Sequence, residues 1–123
     1  MATITEDYVS FEIAKLLEEK VFEECPLLRY DDCGNLWVQG SYNKTIKWHF
    51  PAPTLQMAMK WLREEKGIAV VPILRSILDN ERFLWDIEIT VAKTNETYHQ
   101  GWTYESYERA CEAAIKYCLE NLI

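Results

Sequence analysis

Two pairs of residues in this chain have the types and spacing to do chemistry. Asp86 and Glu88 stand two apart in a strand-like run, so both project from one strand face. Two carboxylates placed that way can hold a divalent cation for a nuclease-like reaction. The lysine that usually follows two residues past the second acid is missing, because position 90 is Thr90 and Lys93 falls on the other face. Cys33 and His49 are the second pair, a thiol and an imidazole that a hairpin and a short strand could bring together for nucleophilic catalysis. With Asp31 or Asp32 the same residues have the donor types of a metal site. Each has an ordinary role as well: a solvated strand face for the acids, a turn and a strand for the cysteine and histidine. His99, the other histidine, sits in a polar stretch. There is no glycine-rich phosphate loop, Gly-x-Ser-x-Gly or His-Glu-x-x-His. The expectation leans away from an enzyme, with no cofactor and no resident metal.

The elements that would position these residues read clearly in part. Ser10 is a good N-cap for a first helix running to about Phe22 or Glu23, with Pro26 as its stop. Leu27–Tyr30 and Leu36–Gln39 flank Asp31-Asp32-Cys33-Gly34-Asn35, the composition of a hairpin. Thr45–Phe50 reads as a third, shorter strand. Pro53 or Thr54 opens a second helix whose apolar stripe is Leu55, Ala58, Met59 and Leu62, and Gly67 closes it in a left-handed conformation. Ile68–Val71 follows as a strand, and Pro72 must stand at an edge, a bulge or a strand end. Phe83, Trp85, Ile87, Ile89 and Val91 alternate with Leu84, Asp86, Glu88, Thr90 and Ala92, which predicts one face in the core and one wet. A polar loop over Thr94–Gly101 leads to Thr103, the N-cap of a last helix with Tyr107, Cys111, Ala114, Cys118 and Leu122 on its buried stripe.

The order α-β-β-(β)-α-β-β-α predicts a single α+β domain over residues 1–123, an antiparallel sheet with three helices mainly on one face. The halves look like a weak ββα repeat. At 123 residues the chain can bury roughly two-thirds of its unfolded surface without staples. The longest uncharged apolar run, Gly67–Leu74, is far too short for a bilayer span, and the acidic N-terminus does not read as a signal peptide. A cytoplasmic location is expected, where the four cysteines stay reduced and Cys111 and Cys118 serve as small buried hydrophobes.

The net charge of −7 is unevenly placed. Residues 1–26 hold seven acids against Lys15 and Lys20, whereas the remaining 97 hold 13 acids and 11 bases. Phosphate backbones would be repelled by such a first helix, so direct nucleic-acid binding is not expected, and nor is a membrane. Glu12, Glu19 and Glu23 could instead dock a basic protein. Five Trp, seven Tyr and four Phe make the chain rich in aromatics, and Tyr42, Trp48 and Trp102 fall near turns where exposure suits a protein interface.

Ser10-Phe11-Glu12 with Ala14-Lys15-Leu16, Ala52-Pro53-Thr54 before Lys60-Trp61-Leu62-Arg63-Glu64, and Thr103-Tyr104-Glu105 before Ala110-Cys111-Glu112-Ala113-Ala114 together give the chain a recognisable pattern. It resembles a group of small uncharacterised proteins of gut Bacteroides-type bacteria and their phages and mobile elements. That group has no assigned activity, so the resemblance implies a setting and transfers no site residue. Its first helix often ends in Lys-Gly-Phe, where this chain has Lys20-Val21-Phe22. Gly101-Trp102-Thr103-Tyr104-Glu105 before an alanine-rich helix is also similar to small antitoxins of the HicB type, a pattern that other β-turn-α units share. The first half has the element order of a double-stranded-RNA-binding domain, but its acidic first helix argues against that function. The leading expectation is a non-enzymatic module that binds a protein or itself. The alternatives are an acidic inhibitor, antitoxin-like or a nucleic-acid mimic, acting through the first helix, and then an enzyme.

Overall fold

A computed structural model of the chain describes residues 7–22, 28–38, 50–78, 82–99 and 103–123. Helix α1 spans Phe11–Glu19, and Ser10 caps it by accepting the Ile13 N–H at 3.3 Å. The helix ends earlier than the sequence suggests, because the chain turns at Val21 in the left-handed region with φ 59°. Phe22 N–H donates to Leu17 O and Val21 N–H to Glu18 O, the paired bonds of a Schellman stop. Phe22 is then buried, as that motif's apolar contact requires.

Strands β1 (Leu28–Tyr30) and β2 (Leu36–Val38) form the expected hairpin. Asp31 organises its turn: Oδ1 accepts the Cys33 and Asn35 N–H groups, each at 2.9 Å, and Oδ2 accepts Asn35 Nδ2 and Trp37 Nε1. Gly34 takes φ 87°, and a side chain there would press on the Phe11 ring. Strand β3 (Phe50–Pro51) pairs with β1, giving the order β2-β1-β3. The rest of the anticipated third strand, residues 45–49, lies outside the described residues.

Helix α2 (Leu55–Glu65) is capped by Thr54, which accepts the Met57 N–H at 3.1 Å, and is followed by Gly67 at φ 65° as expected. Strands β4 (Ile68–Leu78) and β5 (Arg82–Val91) make a long antiparallel hairpin, so β4 continues through Pro72. Glu96–His99, read from sequence as loop, is a further strand, β6, on the far side of β5. The second sheet is ordered β4-β5-β6. The described residues thus form two three-stranded antiparallel sheets in place of one. Each half has three strands and then a helix, but the first strand is central in one sheet and the second strand in the other.

Helix α3 (Tyr107–Tyr117) starts at Ser106 and not at Thr103. Tyr104 is held in a bridge with Trp85, so the helix cannot begin until the chain leaves the sheet. A π-helical turn over Cys118–Leu122 follows. One core joins the helices, β4 and β5, with Tyr30, Phe50 and Tyr98 packed against it from β1, β3 and β6, and with Leu17, Leu62, Ile68, Ile87, Ile89, Ile115 and Leu119 fully buried. Ala14, Ala58, Ala110 and Ala114, also fully buried, let the helices approach closely. Cys111 and Cys118 are buried hydrophobes on the α3 stripe, as read from sequence, and loss of hydration pushes their thiols up to about 11 and about 12. Among the described residues no helix is long and apolar enough to cross a membrane.

Candidate functional site on the β4–β5 hairpin

The carboxylate pair sits differently from the sequence expectation. Asp86 is 1% exposed, not solvated, and both its oxygens are used. Oδ1 accepts the N–H of Ile87 at 2.7 Å, and Oδ2 lies 3.3 Å from Nη2 of Arg75. Arg75 is the extra residue of a β-bulge, the register passing from Leu74↔Trp85 to Ser76↔Leu84, and its side chain reaches Asp86 across the strands. Glu88 is partly exposed and faces His99 across the strands at 3.7 Å. A cation at Asp86 and Glu88 would have to displace Arg75, so the pair is built as a structural contact.

The Cys33 proposal loses its chemical basis. Asp32, with Asp31 behind it, pushes the Cys33 thiol pKa up, the wrong direction for a nucleophile. His49 lies outside the described residues. Ligand atoms of Asp31, Asp32 and Cys33 come within 4.8 Å of one another. However, four N–H donors already fill the Asp31 oxygens and hold its carboxyl down to about 2, the Asn35 backbone N–H contributing most and the Trp37 indole next. A metal ion would have to break the turn to bind.

Of the proposed acidic contact, Glu12 is tied to Lys116 of α3 at 2.8 Å, which lowers the Glu12 pKa and raises that of Lys116. Glu19 is exposed. Lys20, the residue just past α1, donates through Nζ to Ile123 O at 3.1 Å and ties the end of the helix to the C-terminal turn. Glu23, Tyr42, Trp48 and Trp102 lie outside the described residues.

The hairpin carries a strip the sequence did not single out. Phe83 stacks edge-on to Trp85 (centroids 6.2 Å, 67°), and Trp85 edge-on to Tyr107 (5.2 Å, 83°). Tyr107 Oη accepts Gln56 Nε2 at 2.9 Å, fixing the ring between α2 and α3. Backbone bonds of 2.8 and 2.7 Å between Trp85 and Tyr104 fix the strand beneath. Leu74 is the direct cross-strand partner of Trp85. Phe83, Trp85, Ile87 and Ile89 share the helix-covered face, and the last two are fully buried. Tyr107, which covers Trp85, is the first residue of α3, so Phe83, two positions before Trp85 on β5, projects past the start of the helix. Phe83 and Leu74 are accordingly each 48% exposed. A cleft of about 400 Å³ that shares no residue with the strip is lined by Asp7, Tyr8, Leu55, Ser106, Glu108, Arg109 and Glu112.

Phe83 was legible only as a strand residue, and Leu74 lay beyond the strand expected over Ile68–Val71; the exposure of Phe83 depends on where α3 begins, which the sequence placed too early. Comparison with protein-family models, with characterised proteins and with solved structures returns no match, so the functional reading rests on this geometry alone.

Proposed function

We propose that the chain is a non-enzymatic protein-binding module that seats its partner on the overhanging end of the β4–β5 hairpin. The observation that carries this is the pair of large apolar side chains, Leu74 and Phe83, each half exposed on a rigid aromatic base of Trp85 and Tyr107. Apolar and aromatic anchors held in fixed rotamers lose little entropy on binding, and such residues dominate interface energetics. Burying the exposed half of each would contribute on the order of 1 kcal/mol. The acidic-helix reading has less support, since Glu12 is engaged within the fold. The proposed setting is a bacterial cytoplasm, during expression of a phage or mobile element, on the resemblance of the residue pattern given above.

The test is affinity capture from bacterial lysate with three baits: wild type, L74S/F83S and E12K/E19K. A stoichiometric partner held by wild type and E12K/E19K, and lost from L74S/F83S, supports the reading. A partner lost only from E12K/E19K transfers the function to α1 and overturns it.

A further inference from the structure

β4 runs for 11 residues and, among the described residues, pairs with β5 alone. Which of its backbone groups face the other edge follows from the bonds of β5. Trp85 exchanges both of its backbone bonds with Tyr104, so its N–H and C=O point away from β4. Leu74, opposite Trp85, is therefore in a non-hydrogen-bonded pair and turns its own backbone groups outward. Alternation carries the same phase to Pro72↔Ile87, Val70↔Ile89 and Ile68↔Val91. The far end agrees: Ala92 N–H donates to Gly67 O at 2.9 Å, which makes Gly67 an inward position and Ile68 an outward one. Pro72 thus occupies one of the outward positions, between Val70 and Leu74, and its missing donor costs the β4–β5 ladder nothing. One residue earlier or later it would remove a ladder bond.

From Ile68 to Leu74 this edge carries no charged residue. Charges, especially lysine, are the usual means of keeping an open edge from adding another strand, and here only a proline and the bulge at Arg75 are present. We infer that Pro72 holds β4 back from pairing with β4 of a second copy of this chain. A second copy is the fitting occupant because an antiparallel edge is self-complementary: a twofold axis near residue 72 sets outward residues of one copy against outward residues of the other. Val71 and Leu74, 49% and 48% exposed, lie along that edge and would lose exposure in the pairing. Pro72 removes one donor from each copy and sets its ring where the incoming carbonyl would approach.

The test is the oligomeric state of wild type, P72V and P72V/L74P by light scattering on a sizing column and by sedimentation over a hundredfold concentration range. Wild type runs as a monomer. P72V, which restores the donor and adds β propensity, doubles its apparent mass within that range. P72V/L74P puts the gap back at the neighbouring outward position, where no β5 bond is lost, and returns to monomer. P72T serves in place of P72V should the valine variant not fold. A folded P72V or P72T that stays monomeric overturns the inference, as does a wild type that already dimerises, or a P72V/L74P that stays dimeric. Amide exchange in the wild type checks the phase independently: Val71 and Ile73 N–H exchange at least tenfold more slowly than Val70 and Leu74 N–H. Equal protection at all four would mean that the edge is already covered and would also overturn it. The oligomeric readout is separate from partner capture, so this inference and the binding proposal fail independently.

Discussion

Replacing Val21 by glycine should stabilise the protein. Val21 holds φ 59° at the position just past α1 where helices usually place glycine, and a β-branched side chain there crowds its own backbone. The left-handed conformation costs an L-residue about 1–2 kcal/mol, and valine belongs at the upper end. Two losses oppose the relief. Glycine gives the unfolded chain more freedom, about 0.5–1 kcal/mol. Val21 is 67% exposed, so removing its side chain forfeits about a third of a buried valine's contribution, roughly 0.5 kcal/mol. The balance for V21G is a gain of about 0.5–1 kcal/mol, or a Tm rise of roughly 2–4 °C for a domain of this size. V21A removes the same packing but keeps a Cβ, so it should gain less than V21G. Asn95 is the internal control: it also has positive φ, at 57°, but asparagine tolerates that region, so N95G should change stability by less than about 0.5 kcal/mol. Urea unfolding followed by circular dichroism gives the ranking, with the m-value checked for constancy. A V21G midpoint at or below that of V21A, at unchanged m, would refute the reasoning and mean that α1 does not end in this motif in solution.

Other consequences concern groups held by specific partners. Asp31 has its folded pKa lowered from 3.8 to about 2 by its N–H donors, so its contribution to stability is complete above about pH 4 and is lost as pH falls toward 2; acid unfolding of D31N should lack that component. Removing the Arg75 charge leaves the Asp86 carboxylate buried without its counter-ion, so R75M should cost about 1–2 kcal/mol in urea unfolding, with R75M/D86N recovering much of it. Burial raises the thiols of Cys111 and Cys118 to about 11 and about 12, so neither should react with a disulfide reagent at pH 8 until the protein is unfolded, whereas the exposed Cys33 should react slowly in the native state. Early modification of Cys111 or Cys118, mapped by mass spectrometry, would contradict the packing of α3.

What could be read from the sequence was local. The Ser10 and Thr54 caps, the left-handed Gly67 and the inward set Ile87 and Ile89 each follow from chemistry within a few residues. Most of the misreadings involve a distant partner. Asp86 sits on the strand face expected to be wet, and its burial depends on Arg75 reaching it from a bulge in another strand. β6 has only one half-buried residue, Tyr98, and so lacks the alternation that identifies a strand; its pairing with β5 makes it one. Thr103 looks like a cap, but Tyr104 is bound to Trp85 and delays the helix to Ser106. The end of α1 at Val21 was hidden because valine is not a stop residue. The exposed strip was hidden for a related reason: Phe83 belongs to the same alternation as Ile87, and only the start of α3 separates a core position from an overhang.

The most direct measurement of the central claim is the dissociation constant of the captured partner for wild type, L74S/F83S and E12K/E19K, each first shown to be folded. Loss of two half-buried anchors at about 1 kcal/mol apiece predicts a roughly 30-fold weaker complex for L74S/F83S, with E12K/E19K within about threefold of wild type. An L74S/F83S affinity equal to that of wild type would contradict the assignment of the hairpin strip as the binding surface.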